Sequence, residues 1–208
     1  MKNFVIIDDF YTDPDLVREY ALGQQYAERK KTTTWPGRDS VEVHNEINSA
    51  MNISHEVGQP LFNHLANKSS YFRITKEGEY GTQNIHFDPN AGLVWAGVLY
   101  LTPGPVRMNS GTRFFKHKAT GWETSPNMEE AKEVGIHTRD DMVKFFNTEG
   151  TDLTKWDQIM NIPFKYNRLA LFRPWMWHDG GFSFGKTDED ARLVQLFFFH
   201  ESPDGEDD

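Results

Sequence analysis

Two long apolar runs, Leu93–Leu101 and Arg192–Phe199, constrain this chain more than any other feature. Each is far shorter than the roughly 20 residues of a membrane span. The first ends at Pro103-Gly104-Pro105. Both read as strands, as do Tyr71–Ile74, Asn84–Phe87, Thr112–Phe115 and Arg168–Phe172. The N-terminal part has a different character. Phe4–Ile7 is a short strand. Asp13-Pro14 opens a helix, with Asp13 as N-cap, and helical spacing continues to about Ala27. A second helical stretch runs from about Asn45 to Ala66, interrupted at Pro60. Its apolar face is marked by Ile47, Met51, Ile53, Val57, Leu61, Phe62 and Leu65. Between His117 and Pro163, Met128–Glu133 and Asp140–Phe146 look helical and exposed, with Met142, Phe145 and Phe146 as packing residues. This order predicts a mostly β chain with flanking helices (α+β), a sandwich or open barrel buttressed by N-terminal helices.

The chain has 208 residues, enough for one domain with a core of its own. A single domain is expected over residues 1–203, followed by an acidic tail, 204–208. Within it, residues 1–69 form helical support, 70–116 and 164–200 the β core, and 117–163 a helical insertion or lid. Phe numbers 16 and Trp 6, which suits a β-rich core of large rings. The absence of cysteine excludes disulfides, Cys-type zinc sites, iron–sulfur clusters and a cysteine nucleophile. With 22 Lys+Arg against 31 Asp+Glu, a formal charge of -9 argues against nucleic acid as a partner. The N-terminal apolar run is too short for a secretory h-region, so a cytoplasmic protein with no membrane partner is expected.

Among the eight histidines, His86-Phe87-Asp88 is the pattern that matters. On an extended backbone, residues two apart point to one side, so an imidazole and a carboxylate converge while Phe87 faces packing. This supplies two ligands of a two-His-one-carboxylate triad, which leaves metal positions open. The third ligand must be distant, and His178, beyond the strand at Arg168–Phe172, is the natural choice. Arg192 opens the last strand and would anchor the far carboxylate of a metal-bound keto acid. Arg168 and Arg173 compete for that role, and Asp188, Glu189 or Asp190 could instead pair with Arg192. His178 could be a turn histidine after Trp175-Met176-Trp177, and Tyr100 a core ring. His44, His55, His64, His117 and His137 read as surface residues. His200, at even spacing from Arg192, could share its side or cap the strand end.

With these residues in place, the sequence resembles the Fe(II)/2-oxoglutarate-dependent oxygenases, in particular their prolyl-hydroxylase-like branch. The resemblance rests on Gln83–Asp88, Trp95–Leu101, Gly111–Phe114, Asn167–Phe172, His178 and Arg192, and more loosely on Val5–Phe10. It implies a double-stranded β-helix (jelly roll) core. It also implies Fe(II) held by His86, Asp88 and His178, and 2-oxoglutarate bound through Arg192 and the Tyr100 phenol. Dioxygen would be the second cosubstrate, with ascorbate left open as an accessory. The activity implied is hydroxylation of a peptide, an amino acid or another small molecule. The spacing from His178 to Arg192 is longer than is usual in the branch, and residues 117–163 have no counterpart in a minimal member. Two alternatives stand beside this one. A cupin-like metalloenzyme would need no anchoring cation, and a catalytically silent jelly-roll binding module would need no metal. The oligomeric state is left open.

Overall fold

The computed structural model describes residues 2–28, 34–44, 47–62, 69–88 and 92–201. The elements, in chain order, begin with β1 (Phe4–Ile7), α1 (Pro14–Leu22), β2 (Arg38–Asp39), α2 (Ile47–Val57) and β3 (Leu61–Phe62). Next come β4 (Tyr71–Thr75), β5 (Leu93–Tyr100), β6 (Thr112–His117), α3 (Met128–Glu133) and α4 (Arg139–Thr148). The chain closes with β7 (Trp156–Ile162), β8 (Leu169–Phe172), β9 (His178–Asp179) and β10 (Arg192–Glu201).

Seven strands form a major sheet in the order β1-β8-β5-β10-β4-β2, with β3 also paired to β10, and three form a minor sheet, β7-β6-β9. The pairings are antiparallel. The two apolar runs thus become β5 and β10, neighbours at the centre of the major sheet, with Val194 opposite Tyr100 and Phe197 opposite Gly97.

Strand parity divides the side chains between two cores. Leu193, Phe197 and Phe199 of β10, Leu99 of β5, Leu169 and Leu171 of β8, and Phe72 and Ile74 of β4 share a buried cluster with Val17 and Ala21 of α1 and Ile53 of α2. Val194, Ala96, Val98, Ala170 and Phe172 face the other way and meet Phe114 and Ile162 of the minor sheet. The predicted mostly β architecture with N-terminal helical support is therefore the observed one. The functional cavity lies between the two sheets.

Local chemistry explains most element ends. The Asp13 side chain accepts from Leu16 N at 3.2 Å and Pro14 occupies the first turn. The helix stops at Leu22, short of the expected Ala27, because the chain turns at Gly23 and Tyr26 bridges to Ser40. α2 stops at Val57, well before Ala66, where Gly58 takes φ 69°. Leu61 and Phe62 then add a short strand to β10; residues 63–66 lie outside the described residues, as does the acidic tail. Asn127 with Glu130 and Thr138 with Asp141 build capping boxes that start α3 and α4. Met142, Phe145 and Phe146 of α4 pack against a third cluster around Trp177, Trp156 and Phe87.

Two expectations are corrected. Asn84–Phe87 is not a laddered strand: it makes one isolated bridge, His86 to His178. Its neighbours bond elsewhere, Ile85 N to Gly150 O at 2.9 Å and Asp88 N to Pro174 O at 2.8 Å. And the 117–163 insertion is not helical throughout: beyond its two expected helices, β7 pairs along the whole of β6 from Thr112↔Ile162 to His117↔Trp156.

Candidate functional site

His86, Asp88 and His178 come together in the cavity, and their ligating atoms all lie within 4.8 Å of one another. Asp88 stands between the two imidazoles, with Oδ1 3.6 Å from His86 Nε2 and Oδ2 3.7 Å from His178 Nε2. The bridge between His86 and His178, N–H to carbonyl at 3.0 and 2.8 Å, holds their backbones side by side. The other ring nitrogens are committed: His86 Nδ1 donates to Asn84 O and His178 Nδ1 to Met176 O, both at 2.8 Å. This pattern leaves Nε2 of both rings toward Asp88, the outer-shell arrangement that orients metal-binding histidines. Phe87 points away and packs edge-on against Trp177 and Phe146.

Burial governs the charges. It drives the His86 imidazole well below 6.5, helped by the nearby His178, so His86 stays neutral and able to ligate. Burial also raises the Asp88 carboxyl above the usual range, while charges on His178 and Arg73 pull it down. Two imidazoles and a carboxyl group, near enough for one ion to reach all three, fit a first-row divalent metal such as Fe(II).

Arg192 lines the same cavity. Its Nε donates to Ser110 O at 3.0 Å, and burial lowers its pKa to about 10. Among the described residues it pairs with no carboxylate. Of the three acids upstream, two carboxylates have other partners and the third, on Glu189, is exposed. Asp188 pairs with Arg38 and Lys76, Asp190 accepts from the Lys186 and Thr187 amides, and Glu189 offers its carbonyl to Arg18. The competing cations are also committed. Arg168 grips Asp8 on the outside, Nε to Oδ1 at 2.6 Å. Arg173 lies 3.9 Å over the Trp95 ring and donates to Lys2 O and Val94 O.

Tyr100 is fully buried behind this wall. Its hydroxyl bonds Thr112 Oγ1 at 2.8 Å and accepts from Thr112 N at 2.9 Å, and its ring stacks on Phe164. Thr112, not Tyr100, reaches the cavity.

The remaining histidines divide. His55 and His137 are exposed and His44 is half-buried. His64 lies outside the described residues. His117 is not a surface residue: it is 3 % exposed, wedged against Trp156 with its ring nitrogens on Thr120 and Glu149. Trp122 and, from α4, Phe145 pack on its ring as well. His200 is displaced from the cavity face by a register shift at Phe199/His200 and packs on Phe62.

Several cavity residues escaped the sequence reading. Arg73, on the cavity side of β4, pairs bidentately with Asp39 and influences Asp88. Trp35 covers His86, ring centres 4.1 Å apart. Asp179 and Arg113 form a buried ion pair beside His178. Even spacing put Tyr71 and Arg73 on one face, but no sequence signal tells which face meets the site.

Solved structures similar to this chain include HygX from Streptomyces hygroscopicus with nickel, 2-oxoglutarate and hygromycin B bound, at 10% identity and TM-score 0.51 over 97% of this chain and 84% of that one. The non-haem α-ketoglutarate-dependent epimerase SnoN from nogalamycin biosynthesis is similar at 11% identity and TM-score 0.53, over 96% and 78% of the two chains. A Pseudomonas putida prolyl-4-hydroxylase is similar at 12% identity and TM-score 0.50, over 96% and 93%. At such identities the likeness establishes the fold, that of the 2-oxoglutarate-dependent oxygenases, in keeping with the sequence resemblance. No curated protein sequence matches the chain. No helix among the described residues is long and apolar enough to cross a membrane. Sequence pattern over residues 1–193 matches one family throughout, and the chain accordingly belongs to the family of unknown function DUF6445.

Proposed function

We propose that this chain is an Fe(II)- and 2-oxoglutarate-dependent dioxygenase that hydroxylates a peptide, an amino acid or another small molecule. The convergence of His86, Asp88 and His178 on one point carries this reading. The unpaired Arg192 in the same cavity supports it over a cupin-like enzyme without a keto acid, for which a buried cation would be an uncompensated cost. With iron and keto acid bound, such a site couples dioxygen to keto-acid decarboxylation and to hydroxylation of a substrate C–H bond.

Each residue has a definite part. His86, Asp88 and His178 would hold the metal, the two imidazoles oriented by the Asn84 and Met176 carbonyls. Arg192, steadied by Ser110 O, receives the distal carboxylate of 2-oxoglutarate. Tyr100 holds Thr112 in the cavity wall. Trp35, Tyr71, Phe172 and Phe198 line the cavity and exclude water.

Anaerobic addition of Fe(II) and then 2-oxoglutarate tests this by visible absorbance. A weak charge-transfer band that needs both components and is lost in His178→Ala is expected. Iron binding without the band would favour the cupin-like alternative. No iron binding would leave a silent binding module.

A further inference from the structure

The distal histidine is followed directly by a buried acid. Asp179 is 1 % exposed and its carboxylate meets Arg113, itself 5 % exposed, through Arg113 Nε to Oδ1 at 2.8 Å and Nη2 to Oδ2 at 2.5 Å. The two residues stand opposite each other across β6 and β9, one position along from the Phe114–His178 pair. Asp179 Oδ1 also accepts from Gly181 N at 2.9 Å. The acid lines the cavity alongside Arg192. The next residue, Gly180, lies against Arg192: a Cβ built there would stand 3.5 Å from Arg192 Nη2. A buried carboxylate that shares a cavity with a buried guanidinium competes with any anion for it. Here both its oxygens are already occupied.

A buried ion pair contributes little net stability, because desolvation offsets attraction. Its effect on a neighbouring charge is another matter. We propose that Arg113 is a positioning residue that sequesters the Asp179 carboxylate, and so leaves Arg192 uncompensated for the distal carboxylate of the keto acid. The proposal rests on the oxygenase reading of the site. Phe182 supports the arrangement from outside: Arg113 lies 4.5 Å over its ring, with Arg107 at the same distance. Without Arg113, Asp179 is an unpaired buried charge in the same cavity wall as Arg192, and the anion site neutralises itself.

Calorimetric titration of 2-oxoglutarate into the Ni(II)-loaded full chain reads affinity without turnover. Arg113→Gln is expected to weaken binding by about tenfold or more, the scale of losing one charge-assisted contact. Adding Asp179→Asn should restore it to near the wild-type value, since Asn keeps the acceptor for Gly181 N and lacks the competing charge. Asp179→Asn alone should bind at least as tightly as wild type. A double variant as weak as Arg113→Gln, or Arg113→Gln binding like wild type, would overturn the proposal. Should Arg113→Gln fail to fold, weakened binding in Asp179→Asn alone would overturn it. Absence of binding to the metal-loaded wild type would instead remove the oxygenase reading beneath it.

Discussion

The indole of Trp35 lies against the imidazole of His86, ring centres 4.1 Å apart and planes inclined by 41°. Trp35 comes from the loop before β2, whereas His86 belongs to the segment bridged to β9, so this contact ties the N-terminal part of the chain to the candidate metal centre. An indole in contact with a metal ligand should report on loading. Fluorescence should change when Fe(II) or Ni(II) is added anaerobically, and Trp35→Phe should lose most of that change. An undiminished response in Trp35→Phe would place the metal elsewhere.

Arg192 and Arg168 should separate cleanly. Arg192→Ala is expected to weaken 2-oxoglutarate binding by about 1.5–3 kcal/mol, or roughly tenfold to a hundredfold, through loss of a charge-assisted contact. Arg168→Ala should leave it unchanged, because Arg168 is spent on Asp8 outside the cavity. Paired keto-acid titrations check both. Equal losses would mean that the anchor had been assigned to the wrong arginine.

The Asp8 cluster gives a pH signature. Hydrogen bonds from Arg168 and then Lys165 hold the Asp8 carboxyl far below the usual range. A depressed carboxyl contributes stability that is complete above the unfolded pKa, about 4, and is lost as pH falls through the folded value. Asp8 is 38 % exposed in its side chain, so solvent screening limits the contribution to about 1 kcal/mol or less. Asp8→Asn should therefore lower stability at pH 7 by that amount, and the gap should shrink below about pH 4. Denaturant melts at the two pH values measure it; a gap that widened on acidification would contradict the sign.

Trp177 is fully buried at the centre of the third cluster, ringed by Phe87, Phe145, Phe146 and Trp156. Its indole N–H donates to Thr124 O at 2.9 Å. Trp177→Ala should cost about 3–5 kcal/mol of stability. Because His178 follows it directly, metal affinity should fall as well, whereas Trp122→Ala in the partly buried margin of the cluster should cost less on both counts. Thermal melts with and without metal separate the two effects.

Much of this protein was legible in its sequence because it depends on neighbours along the chain. The convergence of His86 and Asp88 needs only the two-residue repeat of extended backbone. The apolar runs that become β5 and β10, the Asp13-Pro14 helix start and the helices on either side of Gly135 are local patterns too. The choice of His178 and Arg192 also came from sequence, helped by a family resemblance. Tertiary structure decided what depends on residues far apart. It set Arg168 and Arg173 aside by giving them partners at Asp8 and Trp95. It buried His117 among Trp122, Phe145 and Trp156. It made residues 156–162, beyond the two expected helices of the 117–163 insertion, into β7, because β6 offered an edge to pair with. It joined Arg113 to Asp179 across 66 residues, a charge balance set by strand register, which no local pattern encodes.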